Sequence, residues 1–75
     1  MKIELNKVYF DAKGEQWKVV AILPIHLYFN YIVINKSQNK CNHITESGKV
    51  NMVELHDNDL IKLVGDNFTE EKIGD

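Results

Sequence analysis

The sequence predicts a mainly β fold, a small barrel or strongly bent antiparallel sheet, with a short helical turn near the C-terminus. Three observations carry this. The densest apolar stretches, Trp17 to Leu23 and Tyr31 to Ile34, are rich in the β-branched and aromatic residues that pack on a pleated surface. Turn sequences containing Gly14 and Gly48 fall where hairpins would need them. With 75 residues, 44% apolar and 27% charged, the chain has the make-up of one ordinary globular domain, near the size at which a single core only just offsets the entropy of ordering.

Residues 4–10 alternate weakly, Val8 and Phe10 on one side and Lys7 and Tyr9 on the other, and read as a first strand. Asp11-Ala12-Lys13-Gly14 closes a hairpin, because aspartate can bond its own backbone and glycine accepts a positive φ. The second strand, residues 15–23, puts Trp17, Val19, Ala21 and Leu23 on one face and Lys18, Val20 and Ile22 on the other. Both faces are partly apolar, as in a strand bent to serve two sides of a small barrel. Pro24 cannot donate to a ladder and ends it. The connection Ile25-His26-Leu27-Tyr28-Phe29 has no polar punctuation before Asn30, and it is expected to plug one end of the core, the alternative being an exposed recognition patch.

Residues 31–35 form a third strand, Lys36-Ser37-Gln38-Asn39-Lys40 a polar turn, and residues 41–45 the returning strand. After Glu46-Ser47-Gly48 a further strand is expected over 49–55, with Val50 and Met52 facing together. His56-Asp57-Asn58-Asp59 offers the acceptors of a helix cap, so a helical turn and then a closing strand should follow through Leu60, Ile61, Leu63 and Val64. The domain is read as residues 1–64. Residues 65–75 carry −3 of the total charge of −2 and are read as an acidic, loosely ordered tail.

Composition excludes several functions. All nine basic residues are lysine, so the planar fork suited to phosphate, carboxylate and guanine is missing. The single Cys41 cannot form an intramolecular disulfide, and the first residues lack a long apolar run, which suits a cytoplasmic protein. Five residues, 19–23, make the longest apolar run, far short of a membrane span.

Candidate chemistry is sparse. Cys41, His43 and His56 could offer zinc three ligands, with a fourth to be found among His26, Asp57 and Asp59, but paired ligand spacing is absent. Cys41 and His43, two apart on a strand, are about 7 Å from each other by strand rise, too far for thiolate activation. Asp57-Asn58-Asp59 begins like a calcium loop, yet Lys62 stands where glycine is required and Phe68 where a bidentate glutamate belongs. No catalytic residue, metal or cofactor is therefore expected. Lys36, Lys40 and Lys49 at hairpin tips, with nearby aromatics, are the alternative nucleic-acid contacts, weakened by the net negative charge. A protein partner is preferred, met through Ile25, His26, Leu27, Tyr28, Phe29 and Tyr31, with homodimerisation through a strand edge as a second route.

Val8-Tyr9-Phe10-Asp11, Gly14, Trp17-Lys18-Val19-Val20, the Gly48 turn and Asp59-Leu60-Ile61-Lys62-Leu63-Val64 together resemble the layout of small SH3-like β barrels. With lysine, asparagine and isoleucine supplying 25 of 75 positions, the chain is also similar to short accessory proteins of T4-like bacteriophages. The first likeness implies a barrel over residues 1–64. A proline-peptide groove is not implied, because the paired tryptophan is absent. The second implies a non-enzymatic protein that binds a host protein in the host cytoplasm and alters its activity.

Overall fold

The computed structural model describes residues 1–24 and 27–71. Five strands, β1 (Val8–Asp11), β2 (Gln16–Ile22), β3 (Tyr31–Asn35), β4 (Cys41–Ile44) and β5 (Leu60–Gly65), form one open antiparallel sheet in the order β4-β3-β2-β1-β5. Among the described residues there is no helix, and therefore none long and apolar enough to cross a membrane. The closing strand stands where the sequence placed it. In front of it, instead of the expected helical turn, lies a hydrogen-bonded turn in which Asp59 N–H donates to the His56 carbonyl at 3.0 Å.

The core gathers on one face. Ile3, Tyr9, Trp17, Val19, Val33, Ile44 and Leu60 are buried together, with Tyr31 and Val50 packed against them. Register explains the membership: Tyr9 pairs with Trp17, Val19 with Val33, and Tyr31 with Ile44, so these side chains share a face. Val20, next to Val19, points the other way and is exposed, and Ile22 at the strand's end is exposed as well. A bulge between Val19 and Ala21 increases the local bend of β2.

Three turns share one construction. In each, a residue with a side-chain acceptor starts the turn and a residue of positive φ sits three later, its N–H bonded back to the first carbonyl. They are Asp11 with Gly14 (φ 85), Asn35 with Gln38 (φ 63) and Thr45 with Gly48 (φ 87). The starting side chain takes a backbone N–H from within the turn or just beyond it: Lys13 and Glu15 for Asp11, Ser37 for Asn35, Lys49 for Thr45. Gly48 has a second constraint, since a Cβ there would lie 3.0 Å from Leu60 Cβ. That close approach lets Leu60 N–H donate to the Gly48 carbonyl at 2.8 Å, while Ile3 N–H donates to Glu46 at 2.8 Å. Both bonds draw the turn after β4 toward β5 and the N-terminal segment.

One expected strand is shorter than the sequence suggests and another is absent. The first strand begins only at Val8, because Asn6 is left-handed (φ 68) and Glu4 N–H donates to the Tyr9 hydroxyl at 2.9 Å. No strand forms over 49–55. There Asn51 Oδ1 accepts from Val53 N–H at 2.8 Å and Glu54 N–H at 3.3 Å, and Asp59 takes Val50 N–H at 2.8 Å. Side chains thus claim the donors that a ladder would need.

Candidate interaction cleft

Trp17 anchors the scaffold beneath the site. Its indole N–H donates to Asp11 Oδ2 at 2.8 Å, and the same oxygen accepts from Asn58 Nδ2 at 2.9 Å. Asp11 Oδ1 takes the N–H groups of Lys13 and Glu15, both at 2.9 Å, so this fully buried carboxylate accepts four hydrogen bonds. The sequence marked Asp11 as a turn residue. Its tie to Trp17 and to the 49–59 loop was invisible there.

Asp59 plays the matching role at the base of that loop. Its oxygens accept from Val50 N–H at 2.8 Å and His56 N–H at 3.0 Å, and Lys49 Nζ stands 3.1 Å away. Burial pushes the carboxyl upward, but the two backbone donors and the Lys49 ammonium outweigh it and hold Asp59 below its ordinary value. The loop is closed at its ends while its apolar tip stands in water. Met52 is 56% exposed, Val53 90% and Leu55 88%.

Between this loop and the β2–β3 connection lies an open cleft of about 420 Å³, lined by Leu27, Tyr28, Asn30, Tyr31, Thr45, Glu46, Ser47, Lys49 and Met52. Leu27 is 77% exposed and Tyr28 51%. The expected plug is therefore corrected for these two, whose side chains face solvent. Phe29 is half-buried and does not line the cleft, Tyr31 is half-buried against the core, and Ile25 and His26 lie outside the described residues. The cleft floor is polar: Thr45 Oγ1 and Ser47 Oγ are 2.9 Å apart, and Lys49 N–H donates to Thr45 Oγ1 at 3.0 Å.

The lysines chosen as nucleic-acid contacts are not brought together. Lys49 pairs with Asp59 in this cleft, while Lys36 Nζ stands 3.3 Å from Glu70 and donates to the Thr69 carbonyl elsewhere. Lys40 is exposed at the β3–β4 turn. Cys41 and His43 share the sheet face opposite the core, both exposed. Among the described residues no group of three His, Cys, Asp or Glu side chains could hold a metal ion.

Sequence reasoning missed Thr45, Glu46, Ser47 and Met52 as lining residues. The first three read as turn chemistry, and Met52 as a strand face. Only the run of large apolar residues at 52, 53 and 55, with no core-facing period, hinted at a patch. Comparison with protein-family models, curated proteins and solved structures finds no match.

Proposed function

We propose that this chain is a non-enzymatic protein-binding module that uses the cleft between residues 27–31 and 45–52. The observation that carries the reading is the convergence of exposed apolar side chains, Leu27, Tyr28 and Met52, on one cleft, with Val53 and Leu55 following Met52 in sequence. Single exposed apolar residues are ordinary, whereas several around one concavity suit a contact surface. Lys49 and Glu46 supply a polar rim. The buried carboxylates of Asp11 and Asp59 serve the fold, which supports a binding role over a catalytic one.

We read the open, bent sheet as an incompletely closed variant of an SH3-like barrel. The placement of β1 between β2 and β5 supports this, as do the bonds from Leu60 to Gly48 and from Ile3 to Glu46. Likeness to phage accessory proteins favours a host protein as partner and the host cytoplasm as its setting, and the unpaired thiol of Cys41 suits that compartment. The outer edge of β4 offers a further route, strand addition by the partner or by a second copy.

Capture from a host lysate, repeated after nuclease treatment, tests the reading. One protein partner should be retained by the native chain in moderate salt and lost with Leu27→Asp or Met52→Asp, both folded. Loss of all binding on nuclease treatment would instead assign the surface to nucleic acid, with the steep salt dependence of phosphate contacts.

A further inference from the structure

The sheet face opposite the core carries a second, differently built surface. Val8 and Phe10 pair with Lys18 and Gln16, and Lys18 with Ile34, so these five side chains share that face. Residues 66–71 cross it. No backbone ladder holds them among the described residues; their bonds run to side chains. Gln16, 3% exposed, uses its whole carboxamide on them. Oε1 accepts from Thr69 N–H at 2.8 Å, and Nε2 donates to the Thr69 carbonyl at 3.0 Å, to Thr69 Oγ1 at 3.1 Å and to the Glu71 carbonyl at 3.0 Å. On either side Lys7 pairs with Asp66 and Lys36 with Glu70, while Phe68, half-buried, shares a hollow with Lys18, Val20, Ile34 and Gln38.

This is how a peptide is read. A carboxamide that takes both the N–H and the C=O of one residue reads its main chain, and the further bond from Nε2 to Thr69 Oγ1 favours a hydroxyl side chain there. Phe68 stands beside Lys18, Val20 and Ile34, apolar company that favours an aromatic group, and the two lysines favour acids. A buried glutamine on a sheet face is costly unless its polar atoms find partners, and here segment 66–71 supplies a donor to Oε1 and acceptors for the Nε2 hydrogens. The ion pairs are exposed and individually weak. The segment leaves β5 at Gly65, whose φ is 149° and where an added Cβ would meet open space.

We propose that this face is an exchangeable peptide-binding groove, held shut by the chain's own residues 66–71, and that its external ligand is an extended partner segment of matching chemistry. That ligand has an acid, an aromatic residue two positions on, then a hydroxyl residue and a second acid. The groove is distinct from the cleft assigned above and stands independently of it.

The probe is a fluorescein-labelled peptide with the sequence of residues 66–71, titrated by fluorescence anisotropy against the full chain and against full-chain Phe68→Ala/Thr69→Pro. The double variant loses the aromatic anchor and the Thr69 N–H, so its groove is vacated. Because a tethered segment competes at roughly millimolar effective concentration, the peptide should bind the variant at least about tenfold more tightly than the native chain. Adding Gln16→Ala to the variant should abolish binding, as should alanine in place of the peptide's phenylalanine. Equal binding to native and vacated chains, or none to a vacated chain that retains its thermal transition, overturns the proposal. Should the double variant fail to fold, Phe68→Ala alone replaces it, and loss of folding there too makes the segment part of the core and overturns the proposal. Native dimers that grow with concentration and disappear in Gln16→Ala would name a second copy as the occupant and overturn the partner assignment.

Discussion

Replacing Asp11 by asparagine changes one carboxylate oxygen to an amide nitrogen, and the turn dictates which. Lys13 and Glu15 N–H groups need an oxygen, as Ser37 N–H does at the equivalent Asn35. The new NH₂ must then face Trp17 Nε1 and Asn58 Nδ2, both donors. Trp17 is 1% exposed, so its stranded N–H costs about 1–3 kcal/mol, and the half-buried Asn58, which can reach water, adds about 1. The expected loss is about 2–4 kcal/mol, or about 8–30 °C in Tm for a domain of this size. Urea unfolding followed by fluorescence of the single tryptophan measures it, with circular dichroism as a second probe. A double-mutant cycle with Trp17→Phe, followed by circular dichroism, should return a coupling of at least about 1 kcal/mol. Asp11→Asn within about 0.5 kcal/mol of the native chain would show that the Trp17–Asp11 bond contributes nothing and refute the reasoning.

Other outcomes follow from the same geometry. Gly48→Ala should cost about 2–4 kcal/mol, combining a left-handed φ with a Cβ at 3.0 Å from Leu60, while Gly65→Ala, with open space, should cost only the backbone part; paired thermal melts distinguish them. Because Asp59 is held below its ordinary 3.8 in the folded chain, its contribution is complete above that value and is lost as pH falls through the lower folded value. The urea midpoint should therefore be flat from neutrality to about pH 5 and drop below about pH 4, and the difference between native and Asp59→Asn profiles should shrink over that same acid range. Asp66 is lowered by the hydrogen bond and charge of Lys7, but it is exposed, so Asp66→Asn should leave the profile nearly unchanged. Leu27→Asp should leave the urea midpoint within the range of ordinary surface changes while abolishing partner capture.

Much of the fold was legible because local chemistry and the strand period agree with it. Trp17, Val19 and Val33 are core residues as their alternation requires, and the Asp11 and Gly14 turn does what its residue types predict. The 49–55 segment misled because Val50, Met52 and Glu54 alternate as a strand would, while the competitor is a pair of side chains, Asn51 and Asp59, whose reach no periodicity reports. Gln16 was unreadable for a related reason. A polar residue at a strand start looks solvated, and its partner Thr69 lies 53 positions away. Leu27 and Tyr28 read alike as plug or patch, since hydrophobicity alone does not give direction.

The exposed loop and the buried indole belong to one bonded system. Asn58 reaches Asp11, Asp11 holds Trp17, and the neighbouring Asp59 closes the 49–59 loop by taking Val50 and His56. The loop therefore departs from and returns to a rigid base, and only its tip, where Met52, Val53 and Leu55 face water, is left to adapt. A surface whose frame is fixed and whose contacts are apolar loses little entropy on binding, which suits a contact site better than a frayed connection. Asn58→Ala tests the linkage, because it cuts the tie to Asp11 without touching the cleft: hydrogen exchange should quicken at the Val50 and His56 amides, and partner affinity should weaken although every lining residue is intact. Unchanged exchange at those two amides would mean that Asp59 alone sets the loop, and that the buried tryptophan has no hold on the cleft.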